Sequence, residues 1–116
     1  MDTMITRENI KAQFVAEAIE HGKLLAEGDR KKANKVHKKI QALYNLAKEQ
    51  DQVDVFSELL GEADENVRLW AATFTLKKFP DLAEKSLKEL SALSGITGLS
   101  AKTTLHLWKE GQLNLL

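Results

Sequence analysis

Three histidines, His21, His37 and His106, are the side chains best suited to proton transfer or metal binding near neutral pH. None of them falls in a His-Glu-x-x-His or comparable ligand spacing. A metal would need further ligands that the sequence does not supply, and there is no cysteine to provide a thiolate. His21 lies beside Gly22 on an apolar helical face, between the turns of Phe14 and Leu25. That position predicts a packed imidazole with one hydrogen-bond partner on a neighbouring helix, Gly22 allowing the close approach. His106 and Glu110, four residues apart, predict a surface pair worth roughly 0.3 kcal/mol. No nucleophile elbow, phosphate-cradling glycine loop or Ser/Lys spacing occurs, and the lone Gly-Ile-Thr-Gly at 95–98 is too short to hold phosphate. The sequence therefore predicts no catalytic residue, no metal and no cofactor.

Charge is the other chemical resource. Lysine and arginine (17) balance aspartate and glutamate (17), but the distribution is uneven. Residues 49–66 hold seven acids and no base: Glu49, Asp51, Asp54, Glu58, Glu62, Asp64 and Glu65. Just before them, Lys31, Lys35 and Lys38 share one flank of a helical stretch, with Lys32 and Lys39 nearer its buried edge. Such edge lysines lay their stems over the core and keep the ammonium in water. Either the two regions lie side by side and neutralise each other, or they form a bipolar surface that orients a partner.

These groups must be positioned by helices. Apolar residues recur at three and four, glycine is scarce (6), and Pro80 is the single proline. With 116 residues, 43% of them hydrophobic and 29% charged, the chain suits one globular domain over 1–116. No run approaches the ~20 apolar residues of a membrane span. The opening MDTMITRENI lacks the apolar core of a secretory signal, which predicts a cytoplasmic protein.

The pattern predicts six helices. The first covers Arg7–Ala26, capped by Thr6, with Ile10, Phe14, Ala18 and Leu25 inward. The second covers Arg30–Lys48, with Ala33, Val36, Ile40, Leu43 and Ala47 inward. The third covers Val53–Ala63, with Phe56, Leu59, Leu60 and Ala63 inward. The fourth, capped by Asp64, runs until Phe79–Pro80 stops it, because the residue before proline avoids the helical region. Asp81 and Glu84 predict a capping box for the fifth, with Ala83, Leu87 and Leu90 inward. A turn over 94–98 precedes the sixth, which aligns Ala101, Leu105 and Trp108.

The fourth stretch is apolar on two sides: Val67, Trp70, Ala71 and Phe74 on one, Leu69, Ala72, Leu76 and Phe79 on the other. A helix apolar nearly all round is a buried one, so this is the expected central helix. Ala72, Leu76 and Phe79 recur as Ala101, Leu105 and Trp108 at an offset of 29. That period fits stacked helical hairpins, or chance within an irregular bundle.

The run DENVRLWAATFTL resembles the second helix of a HEAT-type repeat, with Asp64, Val67, Arg68, Ala72 and Leu76 at the matching positions. Together with LKKFPDLAEKSLKELSAL and a closing A-x-x-x-L-x-x-W-K-E-G, the layout is similar to a bacterial family of small single-domain HEAT-like proteins of unknown function. Some members of that family are regarded as immunity proteins that neutralise a cognate toxin. The resemblance implies an all-α fold, six helices in three antiparallel pairs forming a short right-handed HEAT-like solenoid. Stacked hairpins leave ridges and grooves that serve as binding surfaces, so the expected function is a non-catalytic protein–protein interaction module whose partner is another protein; the sharper form, an immunity protein blocking a toxin, is what the resemblance implies. The acidic anchor would be Glu58, Glu62, Asp64 and Glu65. The alternative is nucleic-acid or phosphoanion binding through Lys31, Lys35 and Lys38, with the steep salt dependence of counterion release. Few aromatics and only three arginines stand against that alternative.

Overall fold

A computed structural model of the protein describes residues 6–116. The expectation of no secretory signal rests on residues 1–10, of which 1–5 lie outside the described residues. In chain order the elements are α1 (Arg7–Ala26), α2 (Arg30–Glu49), a 3-10 helix η1 (Val53–Leu59), α3 (Glu65–Thr75), α4 (Pro80–Ser91) and α5 (Ile96–Lys109). The fold is all-α, and among the described residues there is no strand. Among the described residues no helix is long and apolar enough to cross a membrane.

Local chemistry explains the boundaries. The Thr6 side chain accepts the N–H of Asn9 at the start of α1, and Asp29 accepts that of Lys32 at the start of α2. Asp64 Oδ1 accepts two orphan donors of α3, the N–H groups of Asn66 (2.8 Å) and Val67 (3.0 Å). Asp64→Ala is expected to cost about 1 kcal/mol. Asp64→Asn, which keeps the acceptor, should retain most of that stability in urea unfolding.

Four sequence expectations about elements are corrected. The stretch after α2 is a 3-10 helix ending at Leu59, not an α-helix reaching Ala63, and Ala63 is exposed. Gln52 supplies no side-chain cap there, and Gly61 follows within two residues. So short a segment closes tighter i→i+3 bonds instead. Next, α3 ends at Thr75, and Phe79 stands outside the core at 39% exposure. Finally, α4 begins at Pro80 with Phe79 at its N-cap position, so Asp81 does not cap it. Proline suits the first helical position because its missing N–H would be unpaired there anyway. The sixth predicted helix likewise starts earlier, at Ile96, taking the end of the predicted turn into its first residues.

The central role of α3 is as the pattern predicts. It packs against α1, η1, α4 and α5. Nine of its residues are buried, Asn66, Thr73 and Thr75 among them. The two threonines satisfy themselves: Thr73 Oγ1 donates to Leu69 O (2.8 Å) and Thr75 Oγ1 to Ala71 O (2.7 Å). The two threonine hydroxyls are thereby satisfied inside the helix, whereas Arg68 Nε is buried without a hydrogen-bond partner.

Two apolar clusters flank α3. The first is aromatic and lies toward α1, α2 and η1, with Phe14, Tyr44, Phe56, Trp70 and Phe74. Leu24 is the buried leucine near the end of α1, with Leu25 only half-buried, and Tyr44 joins the expected stripe of α2. Leu60 is half-buried against both clusters. The second cluster is aliphatic and joins Leu69, Ala72 and Leu76 to Ala83, Leu87, Leu90, Ala101 and Leu105. Of the residues matched at offset 29, Ala72, Leu76, Ala101 and Leu105 thus meet in one cluster, while Phe79 lies outside it. Trp108 packs at its edge and donates its indole N–H to Glu84 Oε2 (3.1 Å).

Candidate functional site

The acidic residues picked from sequence do not form one surface. Glu58 is bound by Arg7 and by Lys11 (3.2 Å), and Asp54 by the same Arg7 (3.1 Å). Hydrogen bonds from Arg7 hold the Asp54 and Glu58 carboxyls below their usual range, Lys11 adding to the effect on Glu58. The partners come from α1, not from the lysines of α2. Asp64 is committed to capping α3, and Glu65 is exposed in the first turn of that helix. Glu62 is exposed in the preceding turn. Arg7 and Lys11 begin α1, whereas Gly22, Lys23 and Ala26 face Asp64 and Glu65 near its end.

Lys31, Lys35 and Lys38 are all exposed on α2. Among the described residues none of them has a carboxylate within ion-pair distance. His106 and Glu110 make no ion pair either.

A concave trough is the main surface feature. Three cavities share walls along it. One, of about 560 Å³, is lined by Ile19, Lys23, Asp64, Glu65, Asn66 and Ile96 among others. The middle one, about 190 Å³, is lined by His21, His37, Trp70, Ser100, Thr104 and Leu115 with their neighbours. The last, about 700 Å³, lies along Asn34, His37, Lys38, Gln41 and Asn45 of α2 and reaches Leu115 and Leu116. Leu25 and Asn66 belong to the first and second, His37 and Leu115 to the second and third. Helices α1 and α2 form one wall, α5 the other, and α3 the floor.

The floor is built by close packing of α1 on α3. A Cβ at Gly22 would lie 3.0 Å from the Asn66 side chain, so glycine lets Asn66 reach across and donate Nδ2 to Ala18 O (2.6 Å). One turn on, Trp70 Nε1 donates to His21 Nδ1 at 3.4 Å. His21 is therefore the packed imidazole with a partner on another helix that the sequence predicts. His37 completes the group, its ring 4.9 Å from Trp70 and 6.2 Å from His21. Sequence inspection missed His37 on α2 and the pair Ser100 and Thr104, one turn apart on α5, because no spacing in the chain ties one helix to the other. An indole N–H in a buried helix, which needs an acceptor, was the available signal.

Burial pushes both imidazoles below their ordinary value, and for His21 the neighbouring His37 adds to the effect. Protonating His21 at Nδ1 would also forfeit the Trp70 bond. No carboxylate lines the middle cavity to compensate. A folded-state value below the unfolded one, near 6.5, means that the unfolded chain binds protons more readily in this window. Stability is therefore fully present above about pH 6.5 and falls as pH drops through that value. Thermal melts between pH 7.5 and 5 should show the decline, and a His21→Gln/His37→Gln variant should flatten it. A second loss follows at lower pH, where Asp54 and Glu58 are protonated.

Among the described residues, no group of three histidine, aspartate or glutamate side chains converges as a metal site would require. Comparison with solved structures finds the same fold in the protein RPA1889 from Rhodopseudomonas palustris CGA009. The TM-score is 0.87 at 21% identity, over 98% of both chains. At that identity the likeness is one of fold. No family model matches the chain, and no curated protein does.

Proposed function

We propose that the protein is a non-catalytic binding module, HEAT-like in character, that holds a segment of a partner protein in the trough. The observation that carries this reading is the row of three cavities across α1, α2, α3 and α5, each sharing lining residues with the next. Asp64 and Glu65 outnumber Lys23 at one end and Lys38 stands at the other, so a segment of complementary charge would be held in one direction. In its sharper form, which rests on the family resemblance, the partner is a bacterial toxin met in the cytoplasm and blocked by occlusion. The anchor is then Glu65, with Asp64 offering only the oxygen that does not cap α3, rather than all four acidic residues, since Glu58 is already engaged by α1 and Glu62 lies outside the trough.

A second reading keeps one observation in its favour: Lys31, Lys35 and Lys38 are exposed and lack acidic partners among the described residues. It would take a phosphoanion or nucleic acid. The test is affinity capture from the source cells with and without nuclease, using wild type and a Ser100→Trp variant whose new side chain fills the trough. A stoichiometric protein that survives nuclease and is lost with Ser100→Trp supports the first reading. Capture unaffected by Ser100→Trp overturns it, and capture abolished by nuclease favours the lysine flank.

A further inference from the structure

The trough is partly occupied by the chain itself. After Gly111, residues 112–116 leave the helical path without regular structure and cross the face between α5 and α2. Leu113 packs against the aliphatic cluster, Leu115 against the aromatic one and Leu116 against both. Two α2 side chains grip the main chain: Gln41 Nε2 donates to Leu115 O (2.7 Å) and Lys48 Nζ to Leu116 O (3.1 Å). These bonds read backbone, not side chains, so they suit any extended peptide. The apolar pockets then ask for leucine-like residues at alternating positions.

The fit is incomplete in one respect. Gln41 Nε2 is shared between Leu115 O and Asn45 Oδ1, while Gln41 Oε1 is buried with no hydrogen-bond partner. A primary amide pairs fully with an extended backbone when its N–H₂ meets a carbonyl and its oxygen meets a neighbouring N–H. The present strand supplies only the first half. Beside it, the cavity of about 700 Å³ along Asn34, Lys38 and Asn45 leaves room for a longer segment.

We infer that the α2 side of the trough is a docking site for an extended, leucine-bearing segment of a partner protein, and that residues 113–116 hold it as a competing strap. The inference rests on the protein-binding reading and specifies the chemistry of the partner. A tethered occupant acts at an effective concentration on the order of millimolar, so a free peptide competes poorly until the strap is loosened.

The probe is a fluorescein-labelled peptide Gly-Gln-Leu-Asn-Leu-Leu, titrated into full-length protein and read by anisotropy. Leu113→Ser/Leu115→Ser should bind it at least about tenfold more tightly than wild type, and adding Gln41→Ala should remove the gain. Unchanged affinity in the folded double variant overturns the strap, and a gain that survives Gln41→Ala overturns the amide clamp. If the double variant does not fold, Leu113→Ser alone carries the comparison, because Leu113 is only half-buried at the edge of the aliphatic cluster and its loss leaves Gln41 and Lys48 in place; no gain there overturns the strap as well. Dimerisation of the loosened variant on size exclusion would replace the partner segment by the strap of a second copy. Peptide failure alongside a captured partner that is lost with Ser100→Trp would remove the strap and leave the binding module standing.

Discussion

Phe74→Ala is expected to lower stability by about 3–5 kcal/mol, a large share of the roughly 5–15 kcal/mol that holds a domain of this kind together. Phe74 is fully buried in α3 and is the ring on which the aromatic cluster converges. It stacks on Tyr44 at 4.5 Å and meets Phe56 at 5.4 Å, Trp70 at 5.6 Å and Phe14 at 5.9 Å. Those rings come from α1, α2, η1 and α3 itself, so no single neighbour can move in to fill the void. Each ring pair adds about 0.5–1.5 kcal/mol beyond burial. Phe79→Ala provides the contrast, because that ring is 39% exposed, and it should shift stability by roughly 0.5 kcal/mol. Equilibrium unfolding in urea distinguishes the two. Equal effects would mean that the aromatic cluster is not the core of the fold.

Gly98→Ala should be nearly as damaging, for the opposite reason. A Cβ at Gly98 would stand 1.8 Å from Leu93 O and 2.8 Å from Leu93 C, both backbone atoms. No rotamer change relieves such a clash, so the turn between α4 and α5 would have to move. The cost is about 3 kcal/mol or more, at the upper end of overpacking effects. Gly111→Ala separates crowding from backbone conformation. Gly111 adopts φ +70° but has nothing within 4 Å of an added Cβ. Its substitution should cost only about 1 kcal/mol. If the two variants lose stability equally, close approach at Gly98 is not what the turn requires.

The parts of this protein that could be read directly are those set by local rules. Thr6 and Asp64 announce helix starts through their acceptors, and the stripe Ala33, Val36, Ile40, Leu43 and Ala47 is buried as spaced. The all-round apolarity of 67–76 identified the buried helix. What escaped reading depends on competition between local rules or on distant packing. Phe79–Pro80 looked like a stop followed by an Asp81 cap, but proline opens α4 directly. Val53–Leu59 has apolar spacing that serves a 3-10 turn as well as an α-turn, and only its shortness and missing cap decide. The candidate site was the least legible. Glu58 looked free until Arg7 and Lys11, 51 and 47 positions away, turned out to hold it. The trough joins His37 to Trp70 and Ser100 only because α3 brings three helical neighbours together.

The burial of α3 between two unlike clusters sets the order in which amide protons become available to solvent. The α4–α5 pair is tied to the remainder chiefly through small aliphatic contacts with α3, so it can detach while the aromatic side stays closed. Its amides should exchange with deuterium through that partial opening. Those of Trp70 to Phe74 must wait until both clusters are lost, and their exchange rate therefore measures the free energy of the whole molecule.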